Sequence, residues 1–556
     1  MTAQDDQARG SLLVRWSARQ PDTTTWGPAG NRTVLRQTAA RLRRRRRLRR
    51  GLLSGGAVLV AFVGAVVGYG IYLNSQITRL DVGHLAGAAA NGTVNILMVG
   101  STSRCALKQQ NPAFGLCNEG VTGVNSDVIM ILHLDPRTKK VAILSLPRDL
   151  FVPNARTTGP NKIDAALYQG PTQLVSAIEE DFGIPIQHYV ELNFDTFQGV
   201  VNALGGIRMY FPMPLYDAYS SLNIPTAGCQ TLNGFQALAV VRARHLQYKP
   251  PTVATSNHAY WPYDPASDLS RIRRDHEFIR VMGSQVSHQG LGNPLTDRSL
   301  VAAVAPDLEV DNALGTTDMI NMVLTFHGTN PESAPQSTLP VMVHAGLDYY
   351  YAGYDYGSVE LASQPEDTQA IDQLLGISAG HSTMTGAPLP KPGSFSVTVE
   401  NGSGVYDQAA KTAAALQALG FQATADGRVP APGTPSEALV VYRAHDAASL
   451  ADAEAVLQHL SGAAVLATGT PVGGAAVTVV TGSNFSVTAA GAGAGAGAGV
   501  GSGPTAPASP TVPGPAGSAP TTVPPSSNGL APPTPINQAL APFDPRSCTA
   551  SGGEGP

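Results

Sequence analysis

The residues best equipped for chemistry in this chain are arginines set close to a few aspartates. Arg148 follows the apolar run Val141–Leu146, and Asp127 precedes the run Val128–Leu134. Arg242 and Arg244 alternate with Val241 and Ala243, so in an extended backbone they share a face. Arg271 and Arg274 are three apart in a helical pattern and also share a face, with Asp268 one turn earlier. Guanidinium forks bind phosphate oxygens two at a time, and several together stabilise a pyrophosphate and its transition state. Lys162, in PNKIDAAL, adds a point charge. Taken singly, each of these side chains is more often half of a surface ion pair. Their joint placement at the ends of elements is the stronger argument. No HExxH, CxxC pair, Walker loop or GxSxG occurs, which lowers the metalloprotease, zinc-site, nucleotide-hydrolase and α/β-hydrolase readings.

The element that must position Asp127 and Arg148 is the stretch Asn125–Asp149. It reads as two buried strands, with Asp135-Pro136 and Lys139-Lys140 punctuating a hairpin. Antiparallel pairing brings the two outer ends side by side, so a carboxylate and a guanidinium reach one rim, where they can hold a divalent cation and a phosphate. A purely structural ion pair is supported equally well by this stretch alone. Around it the patterns predict a strand at Val94–Gly100 and a helix over Ile163–Asp181 broken at Gly170-Pro171. Further strands follow at His188–Phe194 and Ile207–Phe211, then helices at Gly234–Val241 and Asp268–Val286, the last capped by Asp268 or Ser270. Helices interleaved with strands predict an α/β layered domain.

Charge divides the chain. Residues 1–50 hold 13 Arg against 3 acids, and Arg41–Arg50 alone holds eight Arg. The next 23 residues, Gly51–Leu73, carry no charge and are long enough to cross a hydrocarbon core of ~30 Å. The positive-inside rule predicts a single-pass protein of the cell membrane, its N-terminus cytoplasmic and its bulk extracytoplasmic. Between Thr93 and Gly290 there are 16 Lys/Arg and 15 acids, whereas from Leu291 onward there are 6 and 21. A locally basic site in an acidic exterior points to an anionic ligand of limited size and away from nucleic acid.

The expected organisation is a disordered basic tail at 1–50, a transmembrane helix at 51–73 and a stalk at 74–92. A catalytic-type domain at 93–290 follows, then an extension packing on it at 291–392 and a small α/β unit at 393–482. A disordered Ala/Gly/Pro-rich tail occupies 483–556. Of four cysteines, Cys105 and Cys117 lie in one loop and can staple it; Cys229 and Cys548 have no obvious partner.

The ordered segments VNILMVGSTSR, NSDVIMILHLDP, SLPRDLFVP, NKIDAALYQGP, HYVELNFDTF, VNALGGI, LNGFQALAVVRARH and DLSRIRRDHEFI resemble the LytR-CpsA-Psr family. The unit containing VENGSGVYDQAAKTAAALQALGF resembles the LytR C-terminal domain. The resemblance implies a layered α/β/α domain around a mixed sheet, a small α/β C-terminal domain and one N-terminal transmembrane helix. It implies a transferase that moves a glycopolymer from a polyprenyl-pyrophosphate carrier to peptidoglycan through a phosphodiester bond. In that family an apolar tunnel holds the lipid, and arginines grip the pyrophosphate with Mg²⁺ (or Mn²⁺). Carried across, Asp127 is the metal ligand, and Arg104, Arg148, Arg242, Arg244, Arg271 and Arg274 contact the phosphates with Lys162 at the periphery. Catalysis then falls to Asp127, Arg148, Arg242 and Arg244.

Two positions depart from the family pattern. Where it reads G-x-D-x-R, this chain has Gly100-Ser101-Thr102-Ser103-Arg104, and where it reads R-S-D, the chain has Asn125-Ser126-Asp127. Thr102 replaces a carboxylate, which weakens a site for a hard cation; Asn125 replaces an arginine. Asp149 and Asp164 are the carboxylates placed to compensate, and His188 and His245 are the candidate general bases. The alternative function is a lipid-pyrophosphate binding or scaffold protein of weakened activity.

Overall fold

The computed structural model describes residues 74–549 except 90, 106, 108–114, 121, 290–307, 327–328, 330–332, 345, 347, 428–435 and 489–529, together with Tyr72, Gly553 and Glu554. The basic tail expected at 1–50 and, Tyr72 apart, the transmembrane helix expected at 51–73 lie outside the described residues. Among the described residues, no helix is long and apolar enough to cross a membrane.

The expected hairpin is the centre of a seven-stranded mixed sheet. Its strands are β1 (Thr78–Leu80), β2 (Val94–Ser101), β3 (Ser126–Asp135), β4 (Lys140–Leu146), β5 (His188–Leu192), β6 (Leu308–Asp311) and β7 (Gln336–Thr338), in the order β1-β6-β5-β2-β3-β4-β7. The β3–β4 turn closes because the Asp135 carboxylate accepts from the backbone N–H of Arg137 at 2.9 Å, while Lys139 takes the left-handed conformation at φ 55°. The edges differ from the sequence expectation. β1 comes from the supposed stalk, and β6 and β7 come from the supposed extension. These strands are only three or four residues long, too short for alternation to announce them, and Arg79 and backbone bonds to Asp311 tie β1 to its neighbour.

The two faces of this sheet are packed differently. Leu97, Val99, Ile129, Ile131, Leu144, Leu146 and Tyr189 lie on one face and are fully buried against α1 (Pro171–Phe182). Proline at the first position of α1 and left-handed Gly183 after its end fix that helix's limits. Each such side chain contributes roughly 1.5–3 kcal/mol by leaving water. Cross-strand register puts Met98, Val128, Leu132, Val190 and Leu192 on the other face, half-buried, beside Ile96, Met130 and Ile143, which are buried. Over that face lies α4 (Ser267–Gln289), which follows α2 (Phe194–Ala203) and α3 (Gly234–Arg242); His276 Nε2 sits 2.7 Å from Ser145 Oγ. Ile272, His276, Ile279 and Gly283 form one stripe at helical spacing. At the hairpin-turn end of the same face, a cavity of about 790 Å³ opens among Lys139, Ile143, Ile279 and Gly283.

The C-terminal unit is a five-stranded sheet in the order 422–425, 396–400, 477–480, 438–442, 464–468, with helices Gln408–Ala418 and Ala447–Leu457. It rests on α1: the Tyr442 hydroxyl donates to the carbonyl of Glu180 at 2.9 Å. The tail expected from 483 onward needs correction where it is described. Phe485–Val487 pairs with Leu460–Gly462. Farther on, Leu530 and Phe543 are buried, and Arg546–Ser547 adds a strand to Ile207–Phe211. Cys548 closes a disulfide with Cys229, alongside the expected Cys105–Cys117 staple. The segment's average composition hid these isolated anchors.

Candidate active site

The site begins at an irregularity in the sheet. Gly100 pairs with Val128 and Ser101 with Ser126, so Asp127 is the extra residue of a bulge, which turns it out of the ladder. A Cβ on Gly100 would stand 3.0 Å from Val128 Cβ, a tight contact that glycine avoids. The strand end is closed by Thr102, which donates its N–H to the Asn125 carbonyl at 2.9 Å and accepts the Asn125 N–H on its hydroxyl at 3.0 Å. The two positions that depart from the family pattern are therefore bonded to each other, and the Thr102 hydroxyl, buried, is engaged with backbone.

Arg148 forms the centre. Its guanidinium bonds the Asp127 carboxylate, lies 3.1 Å from Asp164 and 3.8 Å from Asp149. Burial alone would lower its pKa, but these carboxylates outweigh burial and raise it. Lys162 Nζ lies 3.0 Å from Asp149, and Arg244 spans Asp149 at 2.8 Å and Asp268 at 2.9 Å. Burial pushes Asp149 up, yet Arg148, Lys162 and Arg244 together hold it below the usual carboxylate range. Asp164 is pushed up to about 6, burial outweighing Arg148. Asp149 and Asp164 thus serve as ion-pair partners for the cations that surround them.

Two helix-borne arginines, Arg242 and Arg271, and the loop residue Arg104 join from the other side. Arg242 is the last residue of α3, helical and not extended, so the face it was expected to share with Arg244 in an extended backbone does not form; it lies 4.8 Å from the centre of the Phe194 ring. Burial lowers its pKa, with Asp127 opposing and Arg104 adding to the shift, so all three charges share one neighbourhood. Arg104 bonds the Thr102 carbonyl at 3.1 Å. Arg271, fully buried, donates to the backbone carbonyl of Asp127 at 2.5 Å and pairs with Asp268 at 3.3 Å. Asp268 is not a cap but a first-turn residue of α4. Arg274 does not join. It pairs with Asp264 at 2.8 Å and Asp544 at 3.4 Å and donates to the Ala243 carbonyl at 2.5 Å. Its expected phosphate contact gives way to a buried ion pair, because one turn of helix directs it away from Asp127.

Glu360 and Asp275 complete the cluster and were not read from the sequence. Burial pushes both up to about 8, with nearby arginines opposing, which favours their neutral forms and leaves the cluster rich in positive charge. Glu360 reaches the site because its N–H bonds the Asp149 carbonyl at 3.0 Å. No chemical pattern marked it. Of the two histidines, His245 follows Arg244 and packs tilted against the Tyr219 ring, their centres 4.5 Å apart. His188 is held in the sheet, 3.2 Å from Asp311, on a strand position remote from the bulge.

Among the described residues, no three acidic, histidine or cysteine side chains are grouped to hold a metal ion. Mg²⁺ needs only one or two carboxylates when substrate phosphates supply its other ligands. Asp127 and Ser101 Oγ, a buried hydroxyl with no hydrogen-bond partner across the strand pair, fit an ion carried in by a phosphate substrate.

Residues 73–364 match the LytR_cpsA_psr family, and residues 394–485 match the family described as LytR cell envelope-related transcriptional attenuator. The chain is similar to the probable cell wall biosynthesis protein LcpB of Corynebacterium glutamicum, 30% identical over 314 residues covering 56% of this chain and 66% of that one. It is 26% identical to the cell wall biosynthesis protein LcpA of the same organism over 410 residues, 66% of this chain and 73% of that one. It is 29% identical over 178 residues to the polyisoprenyl-teichoic acid–peptidoglycan teichoic acid transferase TagU of Halalkalibacterium halodurans, 29% of this chain and 54% of the relative. Among solved structures, the LytR-Csp2A-Psr enzyme from Actinomyces oris is similar at 24% identity and a TM-score of 0.39, covering 48% of this chain and 87% of that one. The first family match spans more than half of the chain and contains the whole seven-stranded sheet with its arginine cluster. The chain belongs to the LytR-CpsA-Psr family.

Proposed function

We propose that this protein is a membrane-anchored phosphotransferase that attaches a polyprenyl-pyrophosphate-linked glycopolymer to peptidoglycan. The observation that carries this reading is the convergence of Arg148, Arg242, Arg244, Arg271 and Lys162 at one end of a half-buried apolar sheet face. The other end of that face opens into the cavity of about 790 Å³. From Arg271 to Gly283 the helix rises about 18 Å, a length suited to a lipid chain whose charged head stays at the arginines. The names of the teichoic acid transferases among its relatives support the same substrate class. The disulfides suit an oxidising compartment, in keeping with residues 51–73 as a single anchor and the bulk of the chain outside the membrane.

In the proposed reaction a peptidoglycan hydroxyl attacks the phosphorus bound to the glycan. A new P–O bond forms and the bond to the bridging oxygen breaks. Polyprenyl phosphate leaves with the electron pair and takes up the hydroxyl proton directly or through water. Arg148, Arg244 and Arg271 hold the phosphate oxygens and stabilise charge where it grows, inside a site of low dielectric. Asp127 would hold Mg²⁺ against a phosphoryl oxygen, and the ion would supply Lewis-acid stabilisation there.

The test is turnover of a short lipid-linked oligosaccharide by the full-length protein with peptidoglycan, with and without Mg²⁺. Release of polyprenyl phosphate is expected. The scarcity of acidic ligands and the engaged Thr102 hydroxyl favour one second reading, a binding or scaffold protein. Wild type that retains lipid yet releases no polyprenyl phosphate would establish that second reading instead.

A further inference from the structure

We propose that Asp544, which lies beyond both family matches, is a positioning residue: acting through Arg274, it fixes the backbone that carries Arg242 and Arg244. This rests on the pyrophosphate reading of the arginine cluster.

The C-terminal segment returns to the first domain by a series of backbone contacts. Ala531 N–H bonds Val343 O at 3.0 Å, and Thr338 N–H bonds Ile536 O at 2.9 Å. The segment then turns at Ala541–Asp544, where Ala541 N–H donates to Asp544 Oδ2 at 2.7 Å and the Phe543 ring stacks on Tyr248 at 4.2 Å. This turn delivers a carboxylate into the protein interior, with Asp544 fully buried. Asp544 accepts from Arg273 Nε at 2.6 Å and lies 3.4 Å from Arg274. Two adjacent helix cations are thus balanced by Asp264 and Asp544, one carboxylate from each side.

The consequence reaches the collar of arginines around Arg148 through geometry. The Arg274 guanidinium is planar, and its orientation is set by the two carboxylates that grip one of its nitrogens. Its other terminal nitrogen donates to the Ala243 carbonyl at 2.5 Å. Ala243 is the first extended residue after α3, with φ −68° and ψ 113°, so its carbonyl has left the helical ladder. Arg242 and Arg244 flank that carbonyl. Without Asp544, Arg274 keeps a single carboxylate and Arg273 loses its own, and the fork that anchors Ala243 is free to reorient.

The experiment compares full-length wild type with Asp544→Asn by two measurements. Hydrogen exchange in the ligand-free protein is expected to quicken about tenfold or more at residues 243–246 and stay unchanged in the β3–β4 hairpin. Affinity for geranylgeranyl pyrophosphate is expected to weaken about tenfold, the cost of one misaligned charged hydrogen bond. Unchanged exchange at 243–246, with only a lower melting temperature, would overturn the proposal. Where Asp544→Asn does not fold, Phe543→Ala loosens the turn without stranding a buried charge: local quickening at 243–246 supports the positioning role, and uniform or absent change refutes it. Failure of wild type to bind the pyrophosphate probe would sink the substrate reading, while the exchange measurement still decides what Asp544 does.

Discussion

Helix α4 carries arginines into two networks that use the same residue types to opposite ends. At the collar, the side chains of Arg148 and Arg244 are 17% and 29% exposed, and each reaches several carboxylates at distances up to 3.8 Å. At the interior lock, Arg274 and Asp544 are 1% and 0% exposed and pair with each other inside the protein. The open network is reachable from outside, so an incoming phosphate can compete with its carboxylates for the arginines. The closed one is out of reach. Arg271 and Arg274 are one turn apart, so helical spacing does not separate the two roles; what separates them is whether the opposing chain brings Asp127 or Asp544.

The sharpest way to break this comparison is to remove one arginine from each network. Arg148→Ala is expected to lower polyprenyl phosphate release by roughly 10²–10³-fold, the usual cost of losing an electrostatic contact made to the transition state. Its unfolding free energy should change less, because Asp127 is partly exposed, Asp164, already pushed up to about 6, can take up a proton, and Lys162 and Arg244 still serve Asp149. Arg274→Leu should show the reverse, losing about 3–5 kcal/mol in urea denaturation by leaving buried Asp264 and Asp544 without their shared cation. If Arg274→Leu retained wild-type stability and lost only turnover, the two networks would not differ in kind.

Arg244→Lys sharpens the same contrast at a smaller scale. The wild-type side chain reaches Asp149 with one nitrogen and Asp268 with another. A lysine keeps the charge but cannot span both carboxylates or offer a planar fork to phosphate. The kcat/KM for a lipid-linked substrate should fall about tenfold, mostly through kcat, as expected for a contact that strengthens as charge grows in the transition state.

These contrasts show how far the sequence could be read. The β3–β4 hairpin was legible because its apolar runs are long, its turn chemistry is explicit and its ends carry opposite charges. The collar was largely legible for the same reason: Arg148, Lys162, Arg244 and Arg271 sit at the ends of elements whose limits were marked. Arg274 misled because a helix face is wide enough to serve two partners. Glu360, Asp544 and the Cys229–Cys548 pair were hidden by distance along the chain, since nothing local in ELA or FDPRSC says which surface those short segments will meet. The edge strands β1, β6 and β7 were hidden by brevity.

The most gradual predicted effect concerns Asp275, which stands between the two networks, facing Arg271 on one side and Arg274 on the other. Burial pushes its carboxyl up to about 8, with Arg271 and Arg274 opposing and Asp268 and Asp127 reinforcing the rise. Neither carboxyl oxygen has a hydrogen-bond partner. Between the ordinary carboxylate range and pH 8 the folded chain therefore holds a proton that the unfolded chain has shed. Folded stability then falls as pH rises through that window, with a slope of at most about 1.4 kcal/mol per pH unit from this group. Asp275→Asn removes the titration and keeps the shape. The variant should match wild type most closely near pH 4–5 and gain on it steadily towards pH 8, as read from urea midpoints across that range. A constant difference at every pH would mean that Asp275 is ionised throughout, held so by both arginines, and that the collar and the lock form one continuous charge network.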